Sequence, residues 1–437
     1  MRLFTRTTVL AATVVVWVSP LLAAATPTFH KDVLPILRRH CQQCHRAGEA
    51  APMAFITYDQ VRPWAKAIKQ SVVSKRMPPW FAEAGTGQFQ HERRLTPVEL
   101  ATLAAWADGG AAAGNPKDAP APAKFASGWT IGQPDLVIEM PQAVEVPAAG
   151  TGESTYVIIP TGFKEDRWVQ RAEVRPGDRA VTHHVIAFLR PPGSKWLAAH
   201  EPGVPFVLQR RGGDGGGYVG GATELLAVYA PGRPAAILPE GQAKLVKAGT
   251  DIVLQLHYTS NGKPALDRSQ LGLVFAKGAP PQRVMTLQAT NARFVIPPQA
   301  DHHRVDAEIT LDQDTTLVSM MPHMHLRGRD FEYRAIYPTG ETETLLRVSR
   351  YDFNWQLHYY VAGIKRLPKG TRIECTAHFD NSANNPANPD PKAEVRWGEQ
   401  SFEEMMIGWF DVAFPTSLDP VKVLRPEKKA ASYPKGR

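Results

Sequence analysis

The sequence predicts a multidomain chain, a small all-α segment followed by two all-β sandwiches. Helical spacing of apolar residues is confined to the stretch before Gly114-Asn115-Pro116. From about Trp129 onward, short β-branched and aromatic runs alternate with Pro, Gly and Asn turns, and no long helical pattern interrupts them. A composition of 43% hydrophobic residues with 38 prolines and 34 glycines fits loop-rich globular β structure rather than disorder, and 437 residues suffice for about three domains.

Taken in order, the chain begins with Arg2 and Arg6 before an apolar run from Val9 to Leu22, closed by Ala23-Ala24-Ala25. This is the pattern of a cleaved signal peptide over residues 1–25. The run is short for a membrane-spanning helix, and no later segment has enough uninterrupted apolar residues to span. The mature protein is expected to be soluble and periplasmic or secreted. Net charge is +8 without a Lys/Arg cluster interleaved with aromatics, which argues against nucleic acid. An acidic redox partner and a plain solvated surface both fit that charge. Of three cysteines, two share one motif and Cys375 has no partner, so packing rather than disulfides must hold the large domains.

Cys41-Gln42-Gln43-Cys44-His45 is the c-type haem attachment signature. The thiols of Cys41 and Cys44 add to the haem vinyl groups, and His45 becomes the proximal iron ligand. Val33, Leu34, Ile36 and Leu37 precede the motif with helical spacing, and Leu100, Leu103, Ala104 and Trp106 form a closing helix. A thioredoxin-like CxxC would need a βαβ setting, and a zinc site a second cysteine pair. The expectation is a small all-α cytochrome c domain over residues 26–115 carrying haem c. Met77, in Lys75-Arg76-Met77-Pro78-Pro79-Trp80, is the expected sixth ligand, with Met53 as its rival. Either sulfur would raise the potential and suit electron transfer. An Ala/Pro linker over 116–129 follows.

The β-rich remainder divides at Lys277-Gly278-Ala279-Pro280-Pro281 into portions of sandwich size, 130–279 and 280–420, before a basic tail at 421–437. The glycine-rich stretch from Arg211 to Gly221 reads as a loop, since a phosphate cradle would need a Lys-Ser/Thr ending and a following helix.

Candidate metal ligands lie in both portions. His183 and His184 are adjacent in a strand-like run, so one ion reaches both only across a bulge or a twisted edge. His302-His303 follows a Pro-Pro turn and reads as exposed. In Asp251 to Tyr258, Ile252, Leu254 and Leu256 share one face and His257 lies on the other. In the second portion, Thr315 to Ser319 leads into Met321-Pro322-His323-Met324-His325. His323 and His325 share a strand face and make two-thirds of a transition-metal site. Pro322 marks an edge or a bulge where a ligand can approach. Glu403-Glu404-Met405-Met406 enters another strand, with Met405 and Met406 on opposite faces. His358 belongs to an aromatic run, Phe353 to His358, read as a strand without a metal role. Asp380 to Pro386 reads as a surface turn.

Four of these motifs, in this order, resemble the copper type II ascorbate-dependent monooxygenases, which include peptidylglycine α-hydroxylating monooxygenase and dopamine β-monooxygenase. His183-His184, Leu254-Gln255-Leu256-His257-Tyr258, His323-Met324-His325 and Glu403-Glu404-Met405 stand in the family's motif positions, over roughly residues 130 to 415. The resemblance implies two all-β jelly-roll sandwich domains and two single-copper sites facing a solvent cleft. It implies that His183, His184 and His257 hold the electron-transfer copper. His323, His325 and Met405 would then hold the catalytic copper that binds dioxygen. Met406 stands where animal members have Cys, and Met321 where the peptide hydroxylase has an arginine, which argues against a glycine-extended peptide substrate. The appended haem segment resembles a bacterial arrangement. The expected activity is an exported copper-dependent monooxygenase hydroxylating a C–H bond of a small organic substrate with dioxygen. The haem would feed electrons from an exported redox donor protein or small reductant. A copper/haem dehydrogenase and a non-catalytic copper-binding electron-transfer protein remain alternatives.

Overall fold

The computed structural model describes residues 26–125, 128–150, 154–208 and 224–424. The expected signal peptide, the 211–221 glycine-rich stretch and most of the basic tail lie outside the described residues.

The molecule is mostly β, and the expected small all-α cytochrome c domain is not formed. Its helices are short: Leu34–His40, the single turn Tyr58–Val61, Ala65–Val73 and Pro97–Asp108. They gather around Phe29, Val33, Leu37, Leu103 and Trp106. Between the last two helices the chain runs through turns and irregular segments and joins the β body. Ala82 bridges to Val348 and Phe89 to Val361, and Trp80, Phe81 and Phe89 pack against the core of the second half. Helical spacing was read at Leu34–His40 and Pro97–Asp108 but not at Tyr58–Val61 or Ala65–Val73, and it carried no signal for this docked stretch, whose partners lie far away in sequence.

The β region also departs from two separate jelly-roll domains. One nine-stranded sheet runs through both halves. From the first half it takes Leu136–Glu139, Gln270–Phe275, Arg167–Arg175 and Gln242–Val246, with the short Ala236–Ile237 strand also pairing Arg167–Arg175. From the second half it takes Gln282–Thr290, Ile407–Pro415, Thr315–His323 and Tyr359–Leu367. The join is a short parallel pairing of Gln242 and Ala243 with Gln282 and Arg283. A five-stranded sheet of Phe206–Val207, Thr155–Pro160, Asp251–Tyr258, Thr182–Arg190 and Glu224–Tyr229 covers the first half. A four-stranded sheet of His303–Thr310, Arg372–Phe379, Gly328–Ile336 and Thr342–Val348 covers the second.

The five-stranded sheet is buried on both faces. Ile252, Leu254 and Leu256 enter the core of the first half, while Val253 joins Tyr156, Ile158, Ile186 and Phe188 against Met321, Met405, Ile407 and Trp409 of the second. Each such Val, Ile or Leu stabilises by about 1.5–3 kcal/mol, so the seam between the halves is a core in its own right. Buried charges cross it as well. Lys244 Nζ lies 2.8 Å from Asp411 Oδ1, and Arg283 lies 3.3 Å from Glu224. Among the described residues, no helix is long and apolar enough to cross a membrane.

Candidate metal centre

The seam carries the histidines. His257 pairs with His184 across adjacent antiparallel strands, and the next pair is Tyr258 with Thr182, so His183 is the extra residue of a bulge. The bulge brings three rings together. His184 and His257 stack at 5.2 Å between centroids, and His183 stands 5.2 Å from each. The Nδ1 atoms of His183 and His184 are 3.0 Å apart, close to the edge of a coordination polyhedron with bonds of about 2.0–2.1 Å. His183 Nε2 is buried without a hydrogen-bond partner.

His323 ends the Thr315–His323 strand and His325 follows it, their rings 5.1 Å apart. The neighbouring Tyr359–Leu367 strand pairs only as far as Met320, so Pro322 stands beyond it, paired with Gly408 alone. That one open side is where proline's missing N–H goes unneeded. Gln356 Oε1 accepts from His323 Nδ1 at 2.7 Å, and the Glu403 carbonyl faces His325 Nδ1 at 3.2 Å. Both contacts fix the ring orientation and leave each Nε2 lone pair for a ligand.

Met405 reaches the same place. It lines one narrow cavity of about 20 Å³ together with His184, His257, His323, His325 and Phe353. Met406 points the other way, fully buried in the core of the second half. Glu404 explains the delivery of Met405: its carboxylate accepts from the backbone N–H of His325 at 2.7 Å and of Arg327 at 2.6 Å. Burial pushes the Glu404 carboxyl up to about 8, against the pull of these donors. The Arg327 side chain, itself buried, donates to the Phe402 carbonyl and to Asn381 Oδ1.

Burial holds all five imidazoles neutral, as metal ligation requires. It lowers His183 to about 3 and His257 and His323 to about 4, and puts His184 and His325 well below the usual histidine range. Facing histidines add to the effect at His183, His184 and His325. The two ligand sets do not face an open cleft among the described residues. They meet around Phe353, which stacks on His183 and turns its edge to His257 and His325.

Phe353, Gln356, Glu404 and Arg327 were not singled out from sequence as site residues. The stretch from Phe353 to His358, read as a strand, is the loop before the Tyr359–Leu367 strand. The Asp380–Pro386 stretch is less superficial than its composition indicates, because Asn381 is fully buried and holds Arg327.

In the N-terminal segment Cys41 and Cys44 are unpaired thiols. His45 stacks on Phe55 at 4.3 Å, and its Nδ1 faces the Met53 carbonyl at 3.3 Å. Met53 packs with Cys41 against the helical core, while Met77 is half-buried after the Ala65–Val73 helix. A Cβ added at Gly232 would stand 3.7 Å from Cys44 Sγ, so the attachment motif lies against the β body. The next residue, Arg233, reaches Met321 Sδ at 3.1 Å, two positions before His323.

No family model matches the chain, and no curated protein does. Among solved structures it is similar to that of the infectious bursal disease virus Gt strain, with 10% identity over 69% of this chain and 77% of that one and a TM-score of 0.18. PNGF-II shows 12% identity over 64% and 60% with a TM-score of 0.23. The STIV MCP shows 8% over 58% and 94% with a TM-score of 0.17. Likeness at this level carries no weight for fold or function.

Proposed function

We propose that the chain is an exported copper-dependent monooxygenase that hydroxylates a C–H bond of a small organic substrate, a reading of the copper type II ascorbate-dependent class. One observation carries it: His184, His257, His323, His325 and Met405, from four distant stretches, line one buried pocket at the seam between the halves, and the His183 ring stands 5.2 Å from those of His184 and His257. The donor set fits copper, since imidazole suits both oxidation states and thioether favours Cu(I). Copper bound there would supply one-electron transfer and dioxygen activation. Cys41, Cys44 and His45 would hold a haem, which would supply single electrons.

The chain's own part is orientation and exclusion of water. Gln356 and the Glu403 carbonyl hold the His323 and His325 rings, Glu404 ties their turn to Met405, and Phe353 closes the space between the two sets. Ser154, Ser401 and Glu399 add polar groups to the cavity wall.

The test is copper content and dioxygen consumption under a chemical reductant. Copper-loaded wild type is expected to consume dioxygen, His257→Ala to bind one copper fewer, and Met405→Ala to lose consumption. Copper content indifferent to all five histidines would overturn the reading. Isotope from labelled dioxygen in an oxidised product separates hydroxylation from dehydrogenation.

A further inference from the structure

A second set of ligands lies on the outer face of the four-stranded sheet, away from the pocket. The Arg372–Phe379 strand alternates there. Ile373, Cys375, Ala377 and Phe379 are buried, and Arg372, Glu374, Thr376 and His378 face outward. This strand lies between the other two that matter, pairing His378 with Arg304 on one side and with Asp330 on the other. The pairing skips Arg329, so a bulge precedes Asp330. The Arg329 guanidinium donates to the Asp301 carbonyl at 2.8 Å, which anchors the turn carrying His302 beside the sheet.

The three side chains converge. The His302 and His378 rings stack with centroids 4.0 Å apart and planes 13° apart. Asp330 Oδ1 is 2.6 Å from His378 Nδ1, and Oδ2 is 3.7 Å from His302 Nε2. One ligand atom from each lies within 4.8 Å of the other two, the only such trio of His, Cys, Asp or Glu among the described residues.

We propose that His302, Asp330 and His378 bind a divalent first-row transition ion of the zinc or copper(II) class. Two imidazoles and one carboxylate suit these ions, whereas calcium and magnesium prefer all-oxygen shells. A bare Asp330–His378 ion pair would account for two of the residues. It does not account for His302, which lies flat on His378 with its Nε2 toward the same carboxylate. Side-chain exposures of 51% for His302, 25% for Asp330 and 20% for His378 leave an entry path and an open coordination position. The ion would staple the turn before the His303–Thr310 strand to the two strands beside it.

The test is zinc binding by the chelator-stripped full-length protein, comparing wild type with a His302→Ala/His378→Ala double variant. The double variant is expected to bind one Zn²⁺ fewer, and Zn²⁺ to raise the thermal midpoint of the wild type more than that of the variant. Equal zinc counts would overturn the proposal. If the double variant does not fold, His302→Ala alone, at an exposed turn, is expected to weaken binding at least tenfold, and unchanged affinity overturns it. The readout is a difference between two proteins, so it holds whether or not the buried pocket binds copper.

Discussion

Phe353 lies flat on His183, ring centroids 5.1 Å apart and planes at 21°, while its edge meets His325 of the other ligand set at 6.1 Å. One aromatic ring therefore touches both groups of proposed ligands, and the cavity it borders, about 20 Å³, has room for a water-sized guest and no organic substrate. Phe353→Ala should open that space. The expected outcome is faster removal of bound copper by a chelator and more dioxygen consumed without substrate, at a stability cost of about 1–3 kcal/mol, below that of a fully buried Phe→Ala. Chelation kinetics unchanged from wild type would remove Phe353 from the role of a barrier.

Gln356 sets the tautomer of His323 through a 2.7 Å contact with Nδ1. Gln356→Leu removes the acceptor and leaves the ring free to turn, so copper affinity is expected to fall roughly 10–100-fold. Gln356→Glu keeps an acceptor and should retain most of the affinity. A competition titration against a copper chelator distinguishes the two variants.

The strand carrying His257 was legible from alternation and the one carrying His184 from its β-branched run, and of the bulge or twisted edge that one ion at His183 and His184 would need, the structure contains the bulge. Met405 and Met406 point apart as expected, although they stand just before the Ile407–Pro415 strand rather than in it. What the sequence hid was non-local. The pairing of Gln242 with Gln282 that fuses the halves into one sheet leaves no periodic trace. Nor does the docking of Ala82 and Phe89 onto distant strands, so a self-contained helical domain was expected where short helices lean on the β body. Phe353 and Gln356 sit on an irregular loop whose aromatic content imitates a strand. The contact of Phe353 with His183 appears only once the halves are assembled, and that of Gln356 with His323 only once the loop folds back on its strand.

Glu404 accepts two backbone N–H groups from the His325–Arg327 turn, at 2.7 and 2.6 Å. Glu404→Leu would strand both donors in a buried site, at about 1–3 kcal/mol each. The predicted loss in urea unfolding is therefore about 2–6 kcal/mol, with Glu404→Gln, which keeps one carbonyl acceptor, falling between wild type and Leu. A Leu variant as stable as wild type would mean that water replaces the carboxylate.

Lys244 and Asp411 face each other across the seam, 6% and 8% exposed. Lys244 also donates to the Leu225 carbonyl and Thr286, and Asp411 accepts from Thr286 and Ser319. Removing either charge leaves the other buried and unpaired, so Lys244→Met and Asp411→Leu should each cost about 3–5 kcal/mol, and the double variant clearly less than their sum. Additive losses in chemical denaturation would show that the two groups do not act as a pair.

The same carboxylate gives the protein a pH dependence with a definite sign. Burial on its own would raise the pKa of Asp411; Lys244 and His358, with hydrogen bonds from Lys244 and Thr286, outweigh it and hold the group well below the usual carboxylate range. The unfolded chain therefore takes up this proton first as the solution is acidified. The stability that Asp411 contributes is complete above its unfolded pKa of about 3.9 and drains away as pH falls below that value toward the folded one. Glu224, buried nearby and pushed upward by that burial, works in the opposite sense, so the informative quantity is the difference between wild type and Asp411→Asn. At pH 7 the Asn variant is expected to be the less stable of the two, and the gap should narrow as both are titrated from about pH 4 downward, followed by chemical denaturation at each pH. A gap that stays constant across that range would show that Asp411 takes up its proton equally in the folded and unfolded chain, and that Lys244 does not hold it charged.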